Sequence, residues 1–342
     1  MREIGVGLLG YGLAGAHFHA PLISATPGLR LAAIATSRDV PEHPDAFVDS
    51  DPRAVIAHPE VGIVVVATPN DTHRPLAEAA LAAGRHAVVD KPFALDVAEA
   101  DAMIAAARAA NRMLTVFQNR RWDGDYLTVK RLIDDGRLGR LSLVEMHWDR
   151  FRPAIKPGWR EHAGPGSGVT DDLGAHMIDQ TLCLFGPPDA VSADIAVQRI
   201  GAVADDYFRI ALTYPGHEVA LSASALVARP RPRFALYGDR GAFAKYGVDV
   251  QEERLRAGIS PITVGFGSES ADAFGRFVDA EGIAVPVETL PGNYLDFYAR
   301  LVRAADAGAP PPVDPLDARR VMRVLALARE SAARGRRLDF TD

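Results

Sequence analysis

The sequence has little of what builds a disulfide framework, a cysteine metal site or a membrane span. It contains a single cysteine, Cys183, which excludes an intramolecular disulfide and argues against a cysteine-based metal site. It has no run of about 18 apolar residues, so no segment is expected to cross a membrane. No basic stretch is long, and the net charge of −6 offers no attraction to nucleic acid or an anionic membrane. We therefore expect a soluble, cytoplasmic protein.

The strongest motif is a glycine-rich turn near the start of the chain. The apolar run Ile4–Leu9 ends in Gly-Tyr-Gly-Leu-Ala-Gly at residues 10–15, and the residues that follow are typical of a helix. Gly10 permits the tight turn, Gly12 lets the backbone approach a pyrophosphate, and Gly15 lets helix and strand pack closely. We predict a dinucleotide-binding loop whose helix N-terminus faces the anion. The alternative is a glycine-rich turn needed only for packing.

The end of the second predicted strand, Arg30–Thr36, indicates which dinucleotide is preferred. NAD-specific sites usually place Asp or Glu here to bind the ribose 2′-hydroxyl. This chain has Thr36, Ser37 and Arg38 instead, and a guanidinium with two hydroxyls suits a 2′-phosphate. We predict NADP as the preferred cofactor, with NAD possible. The alternative is that Arg38 is only a solvated loop residue.

Strand and helix patterns alternate through the first third of the chain. Val61–Ala67 is continuously apolar, as expected of a strand buried on both faces, and His86–Val89 is the next predicted strand. Asp96 and Glu99 form a capping-box-like start for a helix over Val97–Ala110. The alternation predicts an α/β Rossmann domain with a doubly wound parallel sheet of about six strands.

Lys91 lies at a predicted strand end, on the same sheet edge as the glycine loop. A lysine there can lie near the nicotinamide, donate to a substrate oxygen and lower the pKa of a neighbouring base. Pro92 follows it and fixes a turn that could aim the lysine, and a cis bond is possible there. The alternative is a surface lysine with no role in the chemistry.

The second part of the chain changes to the periodicity of strands. Leu141–Asp149, Asp206–Tyr214 and His217–Val227 alternate, and Pro215-Gly216 joins the last two as a hairpin. We predict an α+β domain with a large, mostly antiparallel open sheet, one face of which is covered by helices. The other face is expected to pair with a second copy, as a homodimer or homotetramer.

These patterns predict two domains. The dinucleotide-binding domain is expected at residues 1–121 and the substrate-binding and oligomerisation domain at residues 122–342, and the final helix, about 315–333, is a candidate to pack back on the first domain. The Pro- and Gly-rich stretch Arg152–Gly168 is too long for a simple connector and is a candidate functional loop. Cys183 lies in an apolar helical run and is expected to be a small buried hydrophobe.

One predicted helix carries a polar face. Asp172, His176 and Asp179 follow the i, i+4, i+7 spacing that places side chains on one side of a helix. A histidine beside a carboxylate suits general acid–base catalysis, because the carboxylate raises the histidine pKa and orients its ring. The alternatives are a helix-capping Asp172 with a core His176, or a metal site, although the further ligands of a zinc helix are missing.

Four motifs, in the order in which they occur along the chain, resemble those of the Gfo/Idh/MocA family, the glucose–fructose oxidoreductase and inositol dehydrogenase group. The resemblance covers nearly the whole chain. One residue departs from the family pattern: Asp90 stands where the family has Glu, and it shortens a side chain that in the family helps order the cofactor site. The motifs are the loop Gly10–Gly15, Thr68-Pro69 with His73, Asp90-Lys91-Pro92, and Gly166-Ser167-Gly168 continuing through Asp172-Leu173-Gly174-Ala175-His176.

The resemblance implies a catalytic triad of Lys91, Asp172 and His176. In that triad His176 takes the substrate hydroxyl proton, Lys91 polarises the oxygen and Asp172 supports the pair. It also implies oligomers that pair through the open sheet. Phe117–Trp122 and Gln251–Leu255 further resemble a bacterial subgroup similar to NADP-dependent scyllo-inositol dehydrogenases.

We expect two further groups of residues to line the site. The expected cofactor-binding residues are Gly10, Tyr11, Gly12, Leu13, Ala14, Gly15, Thr36, Ser37, Arg38, Thr68, Pro69, Asn70, His73, Asp90, Lys91, Pro92 and Asn119. The expected substrate-binding residues are Arg121, Trp122, Trp159, Arg160 and Asp179.

The predicted activity is hydride transfer between nicotinamide C4 and a small-molecule substrate, either a sugar, an inositol-like cyclic polyol or a related carbonyl. Three alternatives stay open. The chain could run a redox-neutral sugar modification with tightly bound NAD, reduce a non-sugar carbonyl or imine, or serve as a non-catalytic dinucleotide-binding sensor. Acid–base residues argue against the sensor, which does not need them.

Overall fold

The computed structural model describes residues 3–155, 161, 164 and 166–342. Trp159 and Arg160, two of the expected substrate-binding residues, lie outside the described residues. The chain divides into two compact units. The first comprises the N-terminal stretch ending at Trp122 together with Val250–Gly267 and Asn293–Arg319, and the second comprises Asp123–Asp249, Ser268–Gly292 and Arg320–Asp342.

The strands and helices of the described residues are as follows. The strands are β1 (Ile4–Leu9), β2 (Leu29–Ala35), β3 (Phe47–Asp49), β4 (Val61–Val66), β5 (His86–Val89), β6 (Leu114–Val116), β7 (Leu141–Asp149), β8 (Ala190–Ala196), β9 (Tyr207–Tyr214), β10 (His217–Ser224), β11 (Phe234–Gly238), β12 (Gly241–Lys245), β13 (Gly275–Asp279), β14 (Ala284–Val287) and β15 (Leu338–Asp339). The helices are α1 (Ala20–Ser24), α2 (Pro52–Ala57), α3 (His73–Ala82), α4 (Val97–Ala110), α5 (Gly124–Asp134), α6 (Ala175–Phe185), α7 (Gln251–Arg256), α8 (Leu295–Ala307) and α9 (Pro315–Arg334).

The first unit is built on a parallel sheet. Within the described residues it has six strands in the order β3-β2-β1-β4-β5-β6, and every neighbouring pair is parallel. The strand order reverses between β1 and β4, and such a switch point leaves a crevice at the carboxyl ends of the strands. The loops after β1 and β4 are joined there, since Ala67 N–H donates to the Leu9 carbonyl at 2.8 Å. This arrangement confirms the predicted Rossmann fold.

Apolar burial explains the elements of this sheet. Val61, Ile63, Val64, Val65 and Val66 are all buried, as a strand covered on both faces requires. One core cluster joins such strand residues to helix residues from α2 and α3. At the start of α4, Asp96 Oδ1 accepts from the Glu99 N–H at 2.8 Å, as the capping pattern predicted.

The second unit is built on a larger sheet. In the part of the chain that the structure describes, this sheet has nine strands in the order β14-β13-β12-β11-β7-β10-β9-β8-β15. The pair β7/β10 is parallel and the other pairs are antiparallel, which confirms the mostly antiparallel prediction. The hairpin β9–β10 forms at Pro215-Gly216 as expected.

One face of this sheet holds the core of the unit. Phe208, Ile210 and Leu212 of β9 are fully buried, and a Cβ on Gly174 would lie 3.6 Å from the side chains of both Phe208 and Leu325. The pairing of the opposite face with a second copy stays a prediction. Cys183 is half-buried on α6 rather than buried. Among the described helices none is long and apolar enough to cross a membrane.

Candidate functional site

The three glycines after β1 have different environments. Gly10 has a φ of +93°, a left-handed conformation that favours glycine in a tight turn. A Cβ on Gly15 would lie 2.0 Å from the Gly10 carbonyl oxygen, so only glycine allows this approach. A Cβ on Gly12 would meet no atom within 4 Å. The turn is therefore tightly packed on one side and open at Gly12.

Arg38 is fixed against this turn. Its Nη1 donates to the Tyr11 carbonyl at 3.2 Å, and its backbone N–H donates to Thr36 Oγ1 at 3.1 Å. Ser37 and Arg38 are exposed at the end of β2. Arg38 is therefore exposed and hydrogen-bonded to the glycine loop, and its role in cofactor preference stays a prediction.

Among the other residues of the glycine loop, Tyr11 is buried and Leu13 is exposed. Tyr11 is buried, and its Oη donates to Glu42 Oε1 at 2.6 Å. Burial, reinforced by this carboxylate, raises the pKa of Tyr11, which keeps the phenol neutral. Leu13 is 44% exposed and Ala14 is half-buried.

The loop after β4 is held by its own threonines. Thr72 Oγ1 donates to the Pro69 carbonyl at 2.7 Å, so the Thr68 hydroxyl is left to donate to Thr72 Oγ1 at 2.6 Å. Asn70 is buried and Pro69 is exposed. The loop after β4 is therefore ordered beside the crevice at the switch point.

His73 joins two loops at the carboxyl edge of the sheet. Its Nδ1 lies 3.0 Å from the Pro92 carbonyl and its Nε2 lies 3.1 Å from the Thr68 carbonyl. The ring is buried, and this burial lowers the pKa of His73, while Asp90 and the carbonyl contacts act in the opposite direction. Both of these contacts go to backbone carbonyls, so His73 links the loop after β4 to the turn that contains Lys91.

Asp90, Lys91 and Pro92 form the turn after β5. Asp90 Oδ1 accepts from the backbone N–H of Lys91 at 2.7 Å. Lys91 is half-buried, and the Lys91–Pro92 peptide bond is cis. Burial alone would raise the pKa of Asp90, but its interactions with His19, Lys91 and His73 outweigh burial, and the pKa is lowered. Asp90 is therefore an ionised carboxylate at neutral pH.

The segment after β6 contains three more of the predicted residues. Asn119 is buried. Arg121 Nη1 lies 3.5 Å from Asp317 Oδ2. The indole N–H of Trp122 donates to Asp296 Oδ2 at 2.8 Å, and its ring packs edge-on against Phe297. Trp122 is thus a packing residue of the first unit, and the substrate-binding roles of Arg121 and Trp122 stay predictions.

In the second unit, the polar helix begins with a wide turn. Thr170–Gly174 has π-helical geometry and continues directly into α6. Asp172 lies inside this helical segment and is not its N-cap, so the helix-capping interpretation is wrong. Asp172 is half-buried and its Oδ2 lies 3.9 Å from Arg150 Nη1, whereas His176 and Asp179 are buried.

A row of rings and one guanidinium lies beside His176. The ring centroids of His176 and Trp148 are 5.9 Å apart at a tilt of 32°. The Arg233 guanidinium carbon lies 4.6 Å from the Trp148 ring and 4.4 Å from the Phe234 ring. Arg233 Nη2 also donates to Gln180 Oε1 at 2.7 Å, one helical turn beyond His176. Arg233 therefore stabilises the position of Trp148, whose ring lies beside the ring of His176.

A second group anchors the wide turn before α6. Arg329 Nη2 binds Asp171 Oδ2 at 2.6 Å, and its Nη1 lies 3.7 Å from Asp205 Oδ1. Thr170 donates both its backbone N–H and its hydroxyl to Asp205 Oδ2, at 2.8 and 2.6 Å. Burial raises the pKa of Asp171 against the opposing charge of Arg329. These contacts tie the turn that contains Asp172 to α9.

Sequence reasoning missed Trp148, Arg150 and Arg233 as neighbours of the polar helix. Trp148 belongs to the alternating run Leu141–Asp149, but nothing in its spacing links it to a histidine on a helix. Arg233 stands between two aromatic residues only after β7 and β11 pair. Residue type was the one signal that the sequence offered for Arg233. An arginine that becomes buried needs a partner, and aromatic faces are among the partners that it binds.

Both units match domain models of one family. Residues 4–118 match the NAD-binding Rossmann-fold domain of the oxidoreductase family, and residues 130–340 match its C-terminal alpha/beta domain. The chain belongs to the Gfo/Idh/MocA oxidoreductase family. Membership confirms the predicted family and enzyme class, and the NAD-binding domain indicates a nicotinamide dinucleotide cofactor.

Relatives with similar sequences span nearly the full chain. The oxidoreductase YdgJ of Escherichia coli is 43% identical over 96% of both chains. The scyllo-inositol 2-dehydrogenase (NADP(+)) IolW of Bacillus subtilis is 36% identical over 96% of this chain and 94% of its own. Among solved structures, the yvaA protein of Bacillus subtilis is 34% identical, with a TM-score of 0.96 over 99% of both chains.

The switch-point residues fit such a cofactor. The open side of Gly12 leaves room for a pyrophosphate against the backbone, and the exposed Ser37 and Arg38 lie at the end of β2, where the adenosine ribose binds in this fold. When bound, the nicotinamide supplies a hydride acceptor or donor at its C4.

Gly12→Ala and Gly15→Ala should separate binding from folding. Gly15→Ala should lower the free energy of unfolding by about 1–3 kcal/mol, because its Cβ overlaps the Gly10 carbonyl. Gly12→Ala should change it by less than about 0.5 kcal/mol but weaken dinucleotide binding about tenfold or more. Denaturant unfolding and fluorescence titration with NADPH measure the two effects. Unaltered NADPH affinity in Gly12→Ala would contradict the assignment.

Proposed function

We propose that this protein transfers hydride between NADP and a hydroxyl-bearing carbon of a cyclic polyol, a sugar or a related carbonyl. Lys91, Asp172 and His176 are the proposed catalytic residues. The observation that supports the proposal most is the pairing of family membership with retained acid–base residues: the chain keeps the lysine, aspartate and histidine that hydride transfer from an alcohol needs.

His176 is the proposed base in alcohol oxidation. A hydroxyl must lose its proton as hydride leaves the same carbon, and histidine is the side chain best suited to accept it near neutral pH. The contact with Trp148 supports this role because it limits the positions open to the ring. Asp172, one helical turn earlier and only half-buried, is proposed to support His176 electrostatically.

Lys91 is the proposed donor to the substrate oxygen. An ammonium group stabilises the negative charge that develops on this oxygen as its proton departs. Its position supports the role, because the turn after β5 lies at the carboxyl edge of the parallel sheet, where ligands bind in this fold. The backbone bond from Lys91 to Asp90 holds that turn in place.

NADP is the proposed form of the cofactor. Arg38 supports this choice because it is hydrogen-bonded to the glycine loop and lies beside two hydroxyl residues, Thr36 and Ser37. None of these three positions has the Asp or Glu that binds a ribose 2′-hydroxyl in NAD-specific sites. The relative IolW, named as an NADP(+) enzyme, is consistent with it. A cyclic polyol is the proposed substrate class because the same relative is named a scyllo-inositol 2-dehydrogenase.

Replacing the proposed catalytic residues tests the reaction. A screen of polyols and sugars with NADP⁺, followed by absorbance of the reduced nicotinamide, should first identify a substrate. Lys91→Ala and His176→Ala should then lower kcat roughly 100-fold or more, while NADPH titration still shows binding. Lys130→Ala, which removes an exposed lysine on α5, is the matched control and should keep full turnover. Turnover retained in either active-site variant would overturn the assignment of that residue.

Arg38→Ala tests the cofactor preference. It should weaken NADP⁺ binding about tenfold or more and leave NAD⁺ binding nearly unchanged, since only NADP⁺ carries the 2′-phosphate. Arg30→Ala removes another arginine of the same region, paired with Glu60, and should affect neither. Calorimetric titration with both cofactors makes the comparison. A wild-type preference for NAD⁺, or an equal loss for both cofactors in Arg38→Ala, would contradict the proposal.

A further inference from the structure

A buried polar row lies beside the turn that contains Lys91. His19 and Tyr298 are fully buried, and His19 Nδ1 lies 2.6 Å from Tyr298 Oη. On the other side of the ring, His19 Nε2 lies 3.8 Å from Asp90 Oδ2. Buried polar groups cost free energy unless they bind partners, so the row requires an explanation.

Hydrogen-bond chemistry determines where the His19 proton lies. If His19 is neutral and Tyr298 donates to Nδ1, the ring proton must be on Nε2, facing Asp90. If His19 is protonated, both nitrogens carry protons and Nε2–H again faces Asp90. A neutral ring with its proton on Nδ1 would turn the Nε2 lone pair toward a carboxylate, which is repulsive. In both of the favourable forms, therefore, His19 presents an Nε2 proton to Asp90 while Nδ1 is hydrogen-bonded to Tyr298.

Asp90 connects this row to Lys91. Its Oδ2 faces His19, and its Oδ1 accepts the backbone N–H of Lys91 at 2.7 Å. The titratable groups that act on Asp90 are His19, Lys91 and His73, and Tyr298 is a further titratable group beside it. The carboxylate is thus hydrogen-bonded to the turn through Oδ1, while its Oδ2 lies within ion-pair distance of the His19 ring but beyond hydrogen-bond distance.

Aromatic packing fixes the ring of His19. Its centroid lies 4.4 Å from that of Phe117, and Phe117 in turn packs against Phe297 and Tyr298 of α8. The ring of His19 therefore has little freedom to rotate away from Asp90. Through Tyr298, α8 determines the environment of a turn that is distant from it in sequence.

We propose that His19 and Tyr298 are positioning residues that act through Asp90 to hold the Lys91 turn in place and so direct the lysine amine. The inference rests on the proposed function of Lys91. Asp90 can connect the two because its Oδ1 accepts the Lys91 N–H at 2.7 Å while its Oδ2 lies 3.8 Å from His19 Nε2.

The chemical reactivity of Lys91 tests this proposal without any substrate. The chain has four lysines, at positions 91, 130, 156 and 245, so modification can be followed at each by peptide mass spectrometry. The probe is trinitrobenzenesulfonate, and the readout is the labelling rate of Lys91 divided by that of the exposed Lys130 in the same sample. Tyr298→Phe removes one oxygen atom, and His19→Leu removes both ring nitrogens.

We expect both variants to raise this ratio about threefold or more, because a released turn exposes and mobilises the half-buried amine. His17→Leu is the matched control, since it alters an exposed histidine of the same helical segment and should leave the ratio unchanged. If His19→Leu fails to fold, Tyr298→Phe decides the question. A ratio equal to that of the wild type in folded Tyr298→Phe overturns the proposal, even if the variant is less stable.

Failure of this inference can be distinguished from failure of the proposed function. If Lys91→Ala keeps turnover while Tyr298→Phe raises the labelling ratio, the catalytic role of Lys91 is wrong and the positioning network stands. If Lys91→Ala abolishes turnover while the ratio stays constant in Tyr298→Phe, Lys91 is catalytic and His19 and Tyr298 have only a structural role.

Discussion

The first unit depends on the close approach of Gly15 to the carbonyl of Gly10. A Cβ there would lie 2.0 Å from the carbonyl oxygen, so the helical turn reaches the end of β1 only because position 15 has no side chain. This contact leaves Gly12 open beside the switch point between β1 and β4. The ends of β2, β4 and β5 lie along the same edge, and they contain the residues that the proposed chemistry uses in this unit.

In each unit, buried polar or aromatic groups from other elements lie close to the element that contains a proposed reactive residue. His176 rests against Trp148, which is backed by the buried Arg233. The Lys91 turn is held by Asp90, and His19 lies on the far side of that carboxylate. Buried charges of this kind are expensive to desolvate and are retained where they fix a geometry that function requires.

Local sequence patterns predicted most of the strands and helices of the first unit. The features that they did not predict depend on contacts between residues far apart in the sequence. The strand His86–Val89 and the helix Val97–Ala110 have the predicted bounds because apolar runs and a capping pair are signals contained in the sequence. The return of Asn293–Arg319 to the first unit has no such signal, since it depends on contacts such as the Thr115 hydroxyl with the Val313 carbonyl. Motif spacing likewise pointed to His176 but not to Arg233, whose position follows from strand pairing.

In the proposed reaction, hydride passes directly between a substrate carbon and nicotinamide C4. The most direct measurement uses the wild-type protein, NADP⁺ and a cyclic polyol that is deuterated on every ring carbon and is turned over by the enzyme. We expect deuterium at C4 of the NADPH produced, with none of it exchanged for hydrogen from water. Protium at C4, or polyol conversion with no net reduction of NADP⁺, would contradict it.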